Sequence, residues 1–316
     1  MLAPGEKDGL DEPMLGETQS LSSAVAAFPA AGRKALVEAV APLDFAGVLS
    51  PQQARFIAQA SGLDADALLQ ALLPVAAAYA RPPISGFFVG AVARGASGAI
   101  YCGANLEFPG TSPWTSVHAE QAAAARAWTA GEAAIDAIAV DAAPCGLCRQ
   151  FLMELGDPSR VAILVRGEAP ATLAELLPRA FGPADLGRAG GLLAGQRPGI
   201  EFDGGDGDAL ALAALAAARR SYAPYTGAEA GVALRLRSGA LVDGSYAESA
   251  AHNPGLAPLA MALSRRVMEG LEGDEIVAAT LVAVGHALVD HAAVARTLLV
   301  ATAPGVRLHL RAARHG

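Results

Sequence analysis

A repeat within the chain is the feature that most constrains its fold. Residues 83–107 and 224–248 are identical at nine of 25 positions, without a gap, at a constant offset of 141. Several of the shared residues are glycines at turn positions, so the abundance of alanine does not account for the match. The repeat predicts a duplicated domain. The identical pairs are Pro83/Pro224, Gly86/Gly227, Gly90/Gly231, Arg94/Arg235, Ser97/Ser238, Gly98/Gly239, Ala99/Ala240, Gly103/Gly244 and Glu107/Glu248.

The first copy has the residue pattern of an α/β fold. Two apolar runs, 87–93 and 99–102, flank the turn Ser97-Gly98 and predict a β-hairpin. Helical patterns over 118–130 and 145–155 alternate with strand patterns over 134–140 and 161–165. Strands that alternate with helices predict a sheet covered by helices on both faces, that is, a three-layer helix-sheet-helix core.

The N-terminal region is predicted to be a small helical addition to the duplicated core. Residues 1–48 form a variable lead-in, partly helical from Leu21 to Val40. Ser50-Pro51 predicts the start of a helix that runs to about Gln59. A second helix is predicted from Leu63 to Tyr79, with Asp64 as its cap. Pro74 should kink or end it.

The domain organisation follows from these patterns. A passage with eight glycines, residues 187–207, is predicted to be the linker between the two copies. The predicted units are the lead-in 1–48, a helical segment 49–80, a catalytic domain 81–186, the linker 187–207 and a degenerate second domain 208–316.

Two short motifs in the first copy predict a metal site. They are His118-Ala-Glu120 and Pro144-Cys145-Gly-Leu-Cys148. One imidazole and two thiolates leave the fourth position of a zinc ion open, which is typical of catalytic zinc rather than structural zinc. Both motifs begin predicted helices, and helix N-termini favour the thiolate form. We therefore predict that His118, Cys145 and Cys148 bind one Zn²⁺ per chain.

The spare carboxylate gives this site a predicted reaction. Zinc lowers the pKa of a bound water towards neutrality and generates hydroxide. Glu120 lies close to the metal without being needed as a ligand, so it can accept that proton and deliver it to a ring nitrogen and to a leaving amine. This sequence of steps converts an amidine carbon into a carbonyl and releases ammonia.

The second copy lacks these residues. At the offset of 141, His118 aligns with Leu259, Glu120 with Met261, Cys145 with His286 and Cys148 with Val289. The second domain is therefore predicted to keep the fold without the zinc. It would cover the first copy, build an oligomer interface or lend a loop to an active site.

Other interpretations of the cysteines are weaker. A lone CxxC is often a redox pair or half of a structural zinc site. The chain has no second CxxC to complete four ligands and no thioredoxin-like pattern around this one. Cys102 lies in a strand-like apolar run and is predicted to be a small buried hydrophobic residue.

Composition excludes several classes of protein. Hydrophobic residues make up 53% of the chain and charged residues 17%, which argues against disorder. A net charge of −8 disfavours a nucleic-acid-binding surface. We find no stretch of about 20 nearly uncharged apolar residues and no secretory signal, so no membrane association is predicted. Three cysteines form no disulfide framework and, with a metal site, indicate the cytoplasm.

Beyond the two motifs, the chain resembles the long, two-domain bacterial cytidine deaminases, which are homodimers. The resemblance runs from about Leu63 to about Leu263. It implies a cytidine-deaminase-like core and deamination of cytidine and 2′-deoxycytidine to uridine and 2′-deoxyuridine in pyrimidine salvage. In that reaction zinc-bound hydroxide attacks C4 of the base, with Glu120 as the proton shuttle. The most specific matching segments are 103–108, 117–121, 144–151, 180–183 and 244–248.

The resemblance also implies substrate-binding residues. Asn105 and Glu107 would hydrogen-bond the ribose hydroxyl, and Phe87 and Phe181 would pack on the pyrimidine ring. In this family a loop of the second domain reaches the partner subunit's active site, which makes Ala251 the predicted contact there. Phe88, Ala143 and His252 depart from the family pattern, and we expect them to affect substrate tolerance.

Three other functions remain open at this stage. One is a zinc hydrolase acting on a different amidine, such as a modified nucleoside, although Asn105 and Glu107 are both present. Another is an inactive nucleoside-binding or scaffold protein, although the first copy retains Glu120 and its ligands. A mononucleotide deaminase would need a cation for the phosphate, which the sequence does not place near the site.

Overall fold

Two sheets that share the same order of four strands form the framework of the protein. This computed structural model describes residues 20–41, 45–157, 159–188, 190–195, 199–285 and 288–316. The helices are α1 (Leu21–Ala27), α2 (Arg33–Val40), α3 (Pro51–Ser61), α4 (Ala65–Ala71), α5 (Leu73–Ala77), α6 (Ala119–Ala130), α7 (Gly146–Leu152), α8 (Leu173–Leu176), α9 (Ala209–Arg220), α10 (Pro258–Met268) and α11 (His291–Thr302). The strands are β1 (Val48–Leu49), β2 (Gly90–Gly95), β3 (Ile100–Ala104), β4 (Ile135–Val140), β5 (Ala162–Val165), β6 (Ala171–Thr172), β7 (Ile200–Phe202), β8 (Ala230–Leu236), β9 (Leu241–Ser245), β10 (Ile276–Val284) and β11 (Leu308–His315).

The strand order confirms the duplication. Within the described residues, the first sheet runs β1-β3-β2-β4-β5-β6 and the second β7-β11-β10-β8-β9. The segment β3-β2-β4-β5 of the first sheet matches β9-β8-β10-β11 of the second. In the first sheet β2 pairs antiparallel with β3 and β4, and β4 pairs parallel with β5. In the second sheet β8 pairs antiparallel with β9 and β10, and β10 pairs parallel with β11. The α/β fold predicted from the sequence is therefore present twice.

Helices cover both faces of the first sheet. Alternate residues of a strand point to opposite faces, and here they enter two different cores. Ala91 and Ala93 on β2 join a core that α6 shares with α10 of the second half. Val92, between them, joins a second core under the N-terminal helices α1–α5. The shared core means that the two halves bury apolar surface against each other.

The constant offset holds from β2, β3 and β4 to β8, β9 and β10, and it fails at two helices and at β11. Ala91 pairs with Val140 in the first sheet, and Val232 with Leu281 in the second, both at an offset of 141. The residues before α6 and α10 are shifted, because Val117 bridges Leu106 while Leu256 bridges Ala247. The loop before α10 is thus two residues shorter than the loop before α6.

This shift corrects the predicted alignment of the metal motifs. His118 and Ala257 are the N-caps of α6 and α10, so His118 corresponds to Ala257 rather than to Leu259. Cys145 and Asp290 are the N-caps of α7 and α11, four residues beyond the constant offset. His286, which that offset would align with Cys145, lies outside the described residues.

The predicted N-terminal helices are confirmed where the structure describes them. α1 and α2 fall within 21–40, and residues 1–19 of the lead-in lie outside the described part. Ser50 starts α3 with a reciprocal capping box with Gln53. Asp64 caps α4 by accepting two backbone N–H groups. The single helix predicted over 63–79 is instead two, α4 and α5, because Pro74 in the first turn of α5 cannot continue a helix from α4.

The glycine-rich passage also differs from the expectation. It contains strand β7, which pairs with β11 at the edge of the second sheet. Leu192 and Leu193 of the same passage are buried in the shared core. The passage therefore contributes to both halves, and the domain boundaries themselves stay a prediction.

A close approach of β3 to α6 generates the first testable prediction. A Cβ on Gly103 would lie 2.3 Å from the Ala123 backbone nitrogen and 2.4 Å from the Ala119 carbonyl oxygen. Backbone atoms cannot move aside cheaply, so we expect Gly103→Ala to lower the free energy of unfolding by about 1–3 kcal/mol. A Cβ on the exposed Gly273 would meet no heavy atom within 4 Å. Gly273→Ala is the control in urea unfolding, and equal midpoints for the two variants would contradict the packing argument.

Candidate active site

The three predicted metal ligands lie at the N-termini of two helices. His118 is the N-cap of α6, and its backbone N–H donates to the Gln121 side chain. Cys145 is the N-cap of α7, where its sulfur accepts the Cys148 backbone N–H at 3.4 Å. Both helix N-termini point their partial positive charge towards the sulfurs, which favours thiolates there.

The ligand atoms are spaced for one tetrahedral ion. The His118 Nδ1 atom lies 3.5 Å from the Cys145 sulfur and 3.3 Å from the Cys148 sulfur, and the two sulfurs are 3.6 Å apart. Tetrahedral zinc, with bonds of about 2.3 Å to sulfur and about 2.0 Å to nitrogen, separates two sulfurs by about 3.8 Å and sulfur from nitrogen by about 3.5 Å. The donor set therefore fits zinc. Among the described residues this is the only such cluster of histidine, cysteine and acidic side chains.

The two thiols are electrostatically different. Hydrogen bonds to Cys148 and then to His118 lower the pKa of Cys145 to about 3. The hydrogen bond to Cys145, together with burial, raises the pKa of Cys148 above its ordinary range. A metal ion that takes both sulfurs as thiolates displaces any proton that they carry.

Glu120 is buried beside the ligands. Its side chain is 5% exposed and stands in the first turn of α6. Burial raises the pKa of its carboxyl group, while the nearby His118 opposes that shift. A raised pKa makes a carboxylate a better proton acceptor, which suits the proton-accepting step of a shuttle.

A cavity of about 340 Å³ opens over these residues. This volume lies within the range of small-molecule sites. Three of the predicted substrate residues, Phe87, Asn105 and Glu107, line it together with the metal motif. The lining residues are Ser85, Phe87, Val89, Asn105, Glu107, Pro113, Ser116, Val117, His118, Ala119, Glu120, Ala142, Ala143 and Cys145.

Asn105 holds the wall of this cavity. Its Oδ1 accepts the Val89 backbone N–H at 3.0 Å, and its Nδ2 donates to the Phe87 carbonyl at 2.8 Å. A side-chain amide has two N–H groups and two acceptor lone pairs, so each end keeps capacity for one more hydrogen bond. Asn105 therefore supports the wall and can still contact a ligand.

Glu107 holds the loop that precedes Phe87. Its carboxylate accepts the backbone N–H groups of Ile84 and Ser85, at 2.8 and 2.9 Å, and the Ser85 hydroxyl at 2.6 Å. In the second half, Glu248 accepts the equivalent three donors from Tyr225 and Thr226.

Because Glu248 has no metal cluster beside it among the described residues, these contacts belong to the fold. They explain why a carboxylate lies in this apolar segment. A role of Glu107 in ligand binding would be additional to its role in the loop.

The aromatic residues and Ala251 are placed differently. Phe87 is at the cavity and 59% exposed, while Phe181 is 46% exposed and is not among the described residues that line it. The Phe181 carbonyl accepts a hydrogen bond from Gln150 on α7. Ala251 also lies outside the lining of its own chain's cavity. Of the departures from the family pattern, Ala143 lines the cavity, Phe88 lines a different one, and His252 is exposed.

The equivalent position in the second half is filled by side chains. Tyr246 replaces Asn105, and its ring meets the ring of His291 edge-on, with 4.4 Å between centroids. His291 is the first residue of α11, and its Nε2 donates to the Ala228 carbonyl at 2.8 Å. Burial lowers the pKa of His291, which keeps this imidazole neutral. The second copy therefore uses this space for packing.

Sequence reasoning missed two buried side chains near the site, Gln121 and Glu154. Gln121 follows His118 by three residues, which is the position of a capping-box partner, and that spacing was a usable signal. Glu154 follows Cys148 and Phe151 at intervals of three on the buried face of α7 and the 3₁₀ turn after it, and it is 0% exposed. A carboxylate on a buried helix face needs hydrogen-bond donors, but the sequence does not say where they come from.

Comparisons with known proteins agree with this geometry. A family model described as the cytidine and deoxycytidylate deaminase zinc-binding region matches residues 64–165, and a second model with the same description matches 173–296. The chain is 47% identical to the cytidine deaminase of Shewanella pealeana over 250 residues, 78% of this chain and 84% of that protein. The chain belongs to the cytidine deaminase family.

Other relatives include the cytidine deaminase of Vibrio cholerae, which is 42% identical over 288 residues, 91% of this chain and 97% of that protein. The crystal structure of cytidine deaminase from Burkholderia pseudomallei is 34% identical over 36% of this chain and 96% of that one, with a TM-score of 0.33. Both family models are zinc-binding regions, and the His118, Cys145 and Cys148 cluster is a group that could hold this ion. In the part of the chain that the structure describes, no helix has both the length and the apolar character needed to cross a membrane.

The ligand geometry generates a prediction about metal content. We expect the wild-type protein to contain about one zinc per chain, and Cys145→Ala and Cys148→Ala to lose most of it, because two ligands do not hold a structured site. Cys102→Ala is the control, since Cys102 is buried in the other core of the same half. Zinc is measured by atomic emission after gel filtration. Retention of zinc in both ligand variants would contradict the assignment.

Proposed function

We propose that this protein catalyses the zinc-dependent hydrolytic deamination of cytidine, and of 2′-deoxycytidine, to the corresponding uridine with release of ammonia. One observation carries the proposal: the His118, Cys145 and Cys148 donor atoms are spaced for tetrahedral zinc beside the buried carboxyl group of Glu120. These groups open onto a cavity of about 340 Å³ in a chain of the cytidine deaminase family.

The chain's own residues divide the work of this reaction. His118, Cys145 and Cys148 would hold zinc, which, when bound, supplies Lewis acidity that activates water for attack on C4 of the base. Glu120 accepts the proton of the attacking water. It returns this proton to the ring nitrogen, then accepts the proton of the new C4 hydroxyl and returns it to the amine, which leaves as ammonia while the C4 carbonyl forms. The raised pKa of Glu120 suits the proton-accepting steps.

The cavity wall suits a nucleoside. Asn105 retains one N–H and one acceptor lone pair, and Oε1 of Glu107, which accepts only the Ser85 hydroxyl, retains one more, so both can bond a ribose hydroxyl. The exposed ring of Phe87 offers an apolar face to a pyrimidine. We extend the same role to Phe181, whose carbonyl is held by Gln150 on the zinc helix α7.

We also propose that the active form is a homodimer in which Ala251 of each chain contacts the substrate in the other. The exposed Phe87 and the absence of Ala251 from the described lining of its own cavity favour a site completed by a second copy. Thiolate ligands need reduced cysteines, which fits a cytoplasmic enzyme of pyrimidine salvage.

The role of Glu120 gives the central test of the function. We expect Glu120→Gln to reduce cytidine turnover by at least about 10²–10⁴-fold, since the amide cannot transfer the protons, while zinc stays near one per chain. Turnover is followed as the loss of ultraviolet absorbance when cytidine becomes uridine. Glu132→Gln, a buried glutamate that bonds Ser97 and Tyr101 away from the cavity, is the control. A fully active Glu120→Gln protein would rule out the shuttle.

The two equivalent glutamates separate sugar binding from loop support. Glu107→Gln and Glu248→Gln disturb the same three hydrogen bonds, so we expect similar losses of stability, about 1–3 kcal/mol each. Only Glu107 faces the cavity, so only Glu107→Gln should raise the KM for cytidine, by about tenfold. Thermal unfolding and steady-state kinetics on both variants make the comparison. A similar rise in KM for Glu248→Gln would show that loop support alone explains the effect.

A further inference from the structure

One loop of the second half is held by side chains from both zinc-bearing helical segments of the first half. This loop, residues 250–254, follows β9 and precedes α10. Its end residues Ala250 and Pro254 are buried, while His252 and Asn253 at the tip are exposed and Ala251 is half-buried. His252 adopts a positive φ of 59°, a backbone conformation that needs support from its surroundings.

Glu154 holds the first end of the loop. Its fully buried carboxylate accepts the Ala250 backbone N–H at 2.7 Å on one oxygen. The other oxygen accepts the hydroxyls of Tyr222 and Tyr225, at 2.9 and 2.7 Å. All three donors belong to the second half, whereas Glu154 is the middle residue of the 3₁₀ turn, Met153–Leu155, that continues the zinc helix α7. Burial raises the pKa of both tyrosines, so their hydroxyls stay protonated and donate.

Gln121 holds the second end. Its Nε2 donates to the Pro254 carbonyl at 2.8 Å, and its Oε1 accepts the backbone N–H of the zinc ligand His118 at 3.1 Å. Gln121 is 2% exposed. A single side chain therefore joins the start of α6 to the end of the loop, in a buried place where each unmade hydrogen bond is costly.

The direction in which the loop tip can act follows from this geometry. The described residues that line the cavity of the same chain include none from 250–254. Held at both ends, the loop presents its tip, Ala251–Asn253, to the solvent side of the molecule. A contact between this tip and a substrate therefore requires the cavity of a second chain.

We propose that Gln121 and Glu154 are positioning residues that hold loop 250–254 at both ends, so that its tip contacts the substrate bound in the partner subunit. This inference rests on the proposed function and on the proposed homodimer. The helices that bind zinc in one subunit thereby also fix a substrate-contacting loop for the other. Fixing the loop before binding removes the entropy loss of ordering its backbone when the substrate arrives.

The first experiment tests each end of the loop in the homodimer. We expect Glu154→Ala and Gln121→Met each to raise the KM for cytidine about tenfold with a much smaller change in kcat and with zinc near one per chain. Glu154→Gln should restore most of the wild-type KM, because its amide oxygen can accept the Ala250 N–H and its NH₂ can donate to the tyrosine hydroxyls. Glu132→Gln, also a buried glutamate bonded to a tyrosine hydroxyl and a backbone N–H, should leave KM unchanged.

Mixed dimers test which active site the loop serves. Two differently tagged chains are co-expressed and the mixed species is purified. The first mixed dimer combines one Glu120→Ala chain with one Glu154→Ala chain. Only the Glu154→Ala chain keeps a working active site, and the loop that reaches this site comes from the Glu120→Ala chain, where Glu154 is intact. The KM should therefore be that of the wild type. The second mixed dimer combines a wild-type chain with a chain that carries both substitutions. The working active site is then on the wild-type chain, and the loop that reaches it comes from the chain without Glu154. The KM should rise about tenfold.

Three results would overturn the inference. The first is an unchanged KM in the Glu154→Ala and Gln121→Met homodimers. The second is a KM that rises only in the mixed dimer whose working active site is on the Glu154→Ala chain. The third is an active enzyme that is monomeric. Hydrogen exchange of residues 249–255 provides a readout that does not depend on activity. Glu154→Ala should raise exchange there relative to Glu132→Gln, and unchanged exchange would also overturn it. A wild-type protein that does not deaminate cytidine while Glu154→Ala releases the loop would instead contradict the proposed function.

Discussion

The convergence of two helix N-termini on three donor atoms is the constraint on which the site depends. Two sulfurs and an imidazole nitrogen lie within 3.6 Å of one another, and such a cluster needs the partial positive charge of both helices and a fixed spacing between them. The sheet provides that spacing, because α6 packs on β3 through the close approach at Gly103, and α7 follows β4 directly. The chemistry therefore depends on strand–helix contacts that touch no substrate.

The duplication separates the parts of the fold that support structure from those that support chemistry. Glu107 and Glu248 hold equivalent loops with the same three donors, although only Glu107 faces a cavity with metal ligands. Where the first half has an open cavity, the second half packs Tyr246 against His291. The second half has kept the supporting contacts and filled the reactive space, and its remaining link to the chemistry is the loop held by Glu154 and Gln121.

The sequence predicts local features well and distant contacts poorly. The sequence could predict that His118, Glu120, Cys145 and Cys148 lie together, because each motif is a helix N-terminus with a fixed spacing of a few residues. The partners of Gln121 and Glu154 lie more than 65 residues away in the chain, so no local pattern reveals them. The constant offset of the repeat fails before α10 and α11 because the segments that lead into these helices differ in length from those that lead into α6 and α7. Strand β7 was missed because three residues among glycines give too short a pattern, and its pairing with β11 decides its structure.

Three buried glutamates of the first half show how this fold separates supporting groups from reacting ones. Glu132 and Glu154 each accept a tyrosine hydroxyl and a backbone N–H, so their lone pairs are committed to fixed donors. Glu120 faces the cavity beside the zinc ligands, and burial raises its pKa. The donors around each buried carboxylate thus separate their roles: Glu132 and Glu154 hold neighbouring segments, while Glu120 faces the cavity, as the proposed proton shuttle requires.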